Sequence, residues 1–210
     1  MEITKDQNEA VNDLVELIAW KLGSDQREVD TIEAISASAR LAGSFLFRSF
    51  NFQLDSPKPG TVMLSDEANR KGPQLVNITH AVLTNLGVPI DNSKMQNDNQ
   101  QMAKTSFLDS IDLLQNHALE ILNKRNLSYE QFAQSAAIAT GFIIQQSGNI
   151  TPEAGFGTAI YYYIEGTKTY PPEFSAASGE KEKIANQDPK QEVAKPIDSS
   201  NESKPWWKFW

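Results

Sequence analysis

The sequence predicts an all-α protein: a single globular bundle of about six helices around one buried helix, followed by a disordered C-terminal tail. Three observations predict it. Apolar residues recur at three- and four-residue spacing in separate segments along the chain, and nothing alternates convincingly as strands apart from the short ambiguous run Thr61 to Leu64. The stretch Ala34 to Phe50 carries only two charges, Arg40 and Arg48, and is apolar around most of its circumference, the mark of a helix inside a domain. Beyond Tyr170 the composition shifts to Pro, Ser, Glu and Lys with few large apolar groups, too little surface to offset the entropy of ordering. The organisation that follows is a helical domain over 1–170, a disordered linker over 171–205 and an aromatic motif over 206–210.

The first helix is expected from near Asp6 to Leu22, with Val11, Leu14, Val15, Ile18 and Leu22 on one face and Gly23 as its stop. Ser24 or Asp25 can cap the next and central helix, which spans about 25 to 50 and reaches about 39 Å at 1.5 Å per residue. Its Ser36, Ser38, Ala39, Ala42, Gly43 and Ser44 are small, so a neighbouring backbone can come close. Asn51 to Gly60, with two prolines and a glycine, reads as a loop. Ser65, followed by Asp66 and Glu67, suits a helix start. Gly72-Pro73 then predicts either two short helices or one kinked helix, since proline lacks the amide donor and crowds the preceding turn. Leu75, Ile78, Val82 and Leu86 restore the helical pattern until Gly87-Val88-Pro89.

Asp91 to Lys104 is rich in Asn and Gln and reads as an exposed linker or a frayed helix start. From Ser106 the helical spacing returns through Phe107, Ile111, Leu114, Ala118 and Leu122, closing in the basic turn Asn123-Lys124-Arg125. Ser128 and Gln131 fit a capping box, the sharpest boundary in the chain. The helix it opens, Tyr129 to about Gln146, sets Ala133, Ala137 and Gly141 at four-residue spacing, and this small-residue seam is expected to pack closely on that of the central helix. Thr151-Pro152 starts the last helix, expected to run to about Glu165 and to stop at Gly166.

Charge and composition narrow the function. Through Tyr170 there are 13 Lys and Arg against 20 Asp and Glu, a net of −7, while the remaining residues hold 6 Lys against 7 acids. An acidic domain without a basic cluster repels phosphate backbones, so no nucleic acid partner is expected. With no cysteine, disulfides and thiolate chemistry are excluded. The start of the chain lacks a basic-then-apolar signal pattern and no stretch approaches a membrane span, which reads as cytoplasmic. The uncharged run Gln131 to Pro152 is broken by glutamines and serine, as suits a core helix.

Four aromatics, Trp206, Trp207, Phe209 and Trp210, fall within five residues at the far end of the tail. They can fold back on the domain, dock a protein partner through tryptophan anchors, or sit at a bilayer surface with Lys204 and Lys208 toward anionic lipid. The leading expectation is a non-enzymatic interaction protein that docks a protein partner through this motif, with a linker of about 35 residues reaching roughly 33 Å. Peripheral membrane attachment by the same motif is the alternative.

A third class is a small-ligand-binding or enzymatic bundle. Arg40 and Arg48 are the charges most suited to partial burial; they pair with acids such as Glu33 or Glu165, or hold an anionic ligand, with His80 as a nearby candidate. His117 and Glu120 lie at the i, i+3 spacing of carboxylate-bridged metal bundles, but the facing Glu-x-x-His motifs are missing, so no metal and no cofactor is implied. No phosphate-binding glycine loop, dinucleotide fingerprint or nucleophile elbow occurs, and no catalytic residue is singled out.

Overall fold

The structure, a computed structural model, describes residues 3–23, 28–52, 56–95 and 102–175. These residues form an all-α bundle: α1 (Lys5–Leu22), α2 (Thr31–Arg48), α3 (Asp66–Asn85), α4 (Phe107–Lys124), α5 (Tyr129–Gln146) and α6 (Pro152–Lys168), with a short 3₁₀ turn at Asn92–Lys94. The compact unit ends at Phe174, four residues beyond Tyr170, because Pro171 is buried and Phe174 packs on the core. Among the described residues no helix is long and apolar enough to cross a membrane.

Each start is set by a side chain that satisfies amide donors the first turn leaves free. Ser128 and Gln131 form the expected capping box, and Thr4 and Gln7 form a second one at α1. Asp30 caps α2 by accepting from the amides of Ile32 and Glu33. The central helix therefore begins at Thr31 and not near residue 25, and its 18 residues span about 27 Å. The expected caps Ser24 and Asp25 lie outside the described residues.

α2 is the centre of the domain. All its residues from Ala34 to Phe47 are buried, and it is flanked by α5 and α6, while α1 and α4 pack on one side and α3 closes the other. Its closest approach is to α6. A Cβ added at Gly43 would sit 2.7 Å from Gly166 Cα, and one added at Gly166 would sit 2.6 Å from the Arg40 carbonyl oxygen, so the two backbones touch with no side chain between them. Gly166 is thus a contact residue inside α6 and not its stop; the helix continues to Lys168.

The expected pairing of small residues on α2 and α5 is met in part. Ser38 Oγ and Thr140 Oγ1 lie 2.8 Å apart and both bond the Ala136 carbonyl, which holds the two helices together. Gly141, however, faces α3, where an added Cβ would come within 2.7 Å of Val82 Cγ1. On the same seam Thr79 Oγ1 donates to the Ala137 carbonyl and lies 2.6 Å from the Tyr163 hydroxyl. α3 runs unbroken through Pro73. Pro73 and Asn69, whose carbonyl loses its usual helical donor, are both exposed, so water can take the place of the missing amide.

The Thr61 to Leu64 run forms no named strand but makes one antiparallel bridge, Val62 to Thr169. Gly60 N donates to Tyr170 O, Met63 N to Lys168 O and Tyr170 N to Thr61 O. This clasp turns the chain after α6 back over the end of α2.

Candidate functional site

Arg40 and Arg48 are carried by the same helix, two turns apart; Arg40 is buried and Arg48 half-buried. Arg40 is 3% exposed and has its charge matched within the domain: Nε donates to Glu165 Oε2 at 2.6 Å, Nη1 donates to the carbonyls of Thr105 and Ser106, and the guanidinium lies 4.3 Å from the centre of the Tyr162 ring. The pairing with Glu165 is the one expected from the sequence. Glu33 instead accepts the amides of Lys104 and Thr105, which ties the end of the Asn-rich linker to the start of α2.

Arg48 sits in the last turn of α2, where the helix dipole favours a cation. Its Nη2 donates to Gln115 Oε1 at 2.8 Å and to Pro172 O at 2.6 Å. Gln115 is buried, and its amide orientation is held because Nε2 donates to Asp112 Oδ1 and to the Glu173 carbonyl. Among the described residues no carboxylate lies at ion-pair distance from Arg48. Nε is closed from solvent with no hydrogen-bond partner, and among the described residues Nη1 has no hydrogen bond to the protein. Burial pushes this guanidinium below the ordinary arginine value, opposed by Tyr129, Glu173 and Tyr170, but arginine remains charged near neutral pH.

Beside it opens a pocket of about 270 Å³. Its walls are Phe47, Phe52, Tyr129, Tyr170 and Phe174, with Glu173 at the lining as well. The Phe174 ring covers the guanidinium at 3.9 Å and stacks on Tyr129. Tyr170 donates its hydroxyl to Glu173 Oε1 at 2.6 Å, and this bond raises the phenol pKa. The arrangement presents one incompletely partnered cation to a cavity of aromatic rings. Chemically it can hold an anion, orient a flat group against the rings, and exclude part of its hydration.

His80 does not join this site. It is exposed on α3, its ring 5.7 Å from that of Phe156, and it shares no partner with either arginine. Nor do Arg40 and Arg48 share a cavity. His117 stacks on Trp20 at 5.4 Å, a contact between α4 and α1, and among the described residues no group of three or more His, Cys, Asp or Glu could hold a metal ion. Trp206, Trp207, Phe209 and Trp210 lie outside the described residues. A second groove of about 530 Å³, with Val62, Leu108, Tyr161 and Ile164 on its walls, has its carboxylate Glu165 already engaged by Arg40.

The site residues that sequence reasoning passed over are Gln115, Tyr129, Tyr170, Pro172, Glu173 and Phe174. The available signal was the run of aromatics Phe45, Phe47, Phe50 and Phe52 around Arg48, more rings than one helix end needs to bury itself. The fold and the site together define an all-α protein with a cationic, aromatic-walled pocket. No protein-family model, no curated protein and no solved structure matches the chain.

Proposed function

We propose that the helical domain is a ligand-binding protein that holds a small anion at Arg48. The observation that carries this reading is a charged, half-buried guanidinium that lies beside an open cavity and has, among the described residues, no carboxylate at ion-pair distance. A buried cation is ordinarily paired, as Arg40 is, because removing it from water costs several kcal/mol. An anion entering the pocket supplies the missing charge at a place where the protein already meets part of the desolvation cost. The test is a titration of the full chain with acetate and with inorganic phosphate, followed by the ¹⁵N–¹H signals of the arginine side chains. Movement of the Arg48 signal, absent in Arg48→Gln, supports the reading; no movement with any anion removes it.

A second reading is favoured by the sequence around Trp206, Trp207, Phe209 and Trp210. Here the protein is a non-enzymatic adaptor, and the aromatic motif docks a protein partner or, alternatively, a membrane surface. Deleting residues 205–210 is expected to abolish capture of a partner from native lysate. Co-sedimentation with anionic vesicles, lost in the same deletion, would assign the motif to the bilayer instead.

A further inference from the structure

Resting on the anion-binding reading of Arg48, we infer that the ligand is a singly charged carboxylate borne on a flat aromatic body. Three features of the pocket select that chemistry. The first is the number of free donors. Nη2 is committed to Gln115 Oε1 and Pro172 O, and Nε is closed off, so among the described residues Nη1 is the nitrogen that Arg48 has left to offer the cavity it lines. A single nitrogen suits one oxygen of a carboxylate; phosphate is ordinarily held by a larger set of donors, from several side chains or the amides of a helix N-terminus.

The second feature is charge. Glu173 lines the same cavity, and Asp112 is hydrogen-bonded to the Gln115 amide that holds Arg48. Attraction to the guanidinium grows in proportion to the ligand's charge, while the cost of taking the ion out of water grows as its square. With Glu173 and Asp112 already offsetting part of the field of Arg48, a monocarboxylate is therefore favoured over a doubly charged phosphate. The Tyr170 hydroxyl does not help the ligand, because its proton is directed to Glu173.

The third is the wall. Phe47, Phe52, Tyr129, Tyr170 and Phe174 offer ring faces and edges, which favour offset or edge-to-face packing with another ring. Phe174 already occupies a face of the guanidinium at 3.9 Å, so the ligand meets the arginine through the edge, in the plane that a carboxylate prefers. A volume of about 270 Å³ lies just below the range typical of drug-sized ligands, which limits the body to one or two rings.

The experiment titrates the full chain with four probes: 2-naphthoate, its neutral amide 2-naphthamide, acetate and inorganic phosphate. Calorimetry gives the affinities, and the aromatic and arginine side-chain NMR signals give the place. Naphthoate is expected to bind about tenfold more tightly than naphthamide or acetate, to shift Tyr129, Tyr170 and Arg48 signals together, and to lose about tenfold in Arg48→Gln. If acetate or phosphate binds at Arg48 as tightly as naphthoate, the anion reading stands and the aromatic carboxylate inference falls. If naphthamide matches naphthoate, or if no probe binds the native chain, both fall. The comparison of acid with amide uses the native protein, so it holds even if Arg48→Gln fails to fold.

Discussion

The two ends of α2 treat the same side chain in opposite ways. At the Arg40 end the guanidinium has a carboxylate, two carbonyls and an aromatic face, and the neighbouring backbones of Gly43 and Gly166 are in contact. At the Arg48 end the guanidinium has two neutral acceptors, one unsatisfied nitrogen and a cavity. The first end is complete from its own residues. The second is only half-buried and, among the described residues, has no carboxylate at ion-pair distance, and that difference in pairing separates a structural arginine from a candidate binding arginine.

The comparison can be broken most severely at its closed end. Gly166→Ala places a Cβ 2.6 Å from the Arg40 carbonyl oxygen, against backbone that has nowhere to move, and is expected to cost about 3 kcal/mol or more, read as a lower urea midpoint. A variant of native stability would mean that the α2–α6 crossing is looser than the structure shows. Next in size is Glu165→Gln, which leaves Arg40 buried beside a neutral acceptor. Glu165 keeps about a quarter of its side chain exposed (26%). Solvent screening therefore reduces the loss to about 1–2 kcal/mol, measured by the same denaturation.

Arg48→Met is expected to behave differently, staying within about 1 kcal/mol of the native protein, because it removes a desolvated charge and an orphan donor along with two neutral hydrogen bonds. If it destabilised as much as Arg40→Met, the two ends would be equivalent and the binding reading would lose its basis.

The smallest effect sharpens the comparison by pH. Tyr162, against Arg40, is held above the ordinary phenol value by burial, while Tyr170, at the open end, is raised by its bond to Glu173. A raised folded value means stability that is present below the ordinary tyrosine pKa of about 10 and lost as the pH rises through the folded values. Glu173→Gln should return Tyr170 toward the ordinary range and leave Tyr162 shifted, followed by the tyrosinate signal in an alkaline titration.

What could be read from the residues alone was local. Ser128 and Gln131 announce their capping box because both partners lie within four residues, and Ala34 to Phe50 announces its burial by lacking charge. Even the Arg40 partner, Glu165, was accessible, since a buried arginine needs an acid and few lie in apolar helices. Gly166 was misread because a glycine that stops a helix and one that admits a neighbouring backbone look identical until the neighbour is known. The start of the central helix was not legible because its cap, Asp30, which accepts two amides, sits inside a polar run with several capping residues. The Arg48 pocket was the least legible. Gln115, Tyr129 and the 170–174 segment come from three places in the chain, and the last is brought home by the Val62 to Thr169 clasp, itself an ambiguous run, together with its bonds to Arg48 and Gln115.

The hydrogen bond from Arg48 to Pro172 joins residues 124 apart. The bond from Arg40 to Glu165 joins residues 125 apart, so both ends of α2 wait for the last helix and the segment after it before either guanidinium is covered. On a chain emerging from the ribosome the central helix is therefore made early and shielded late.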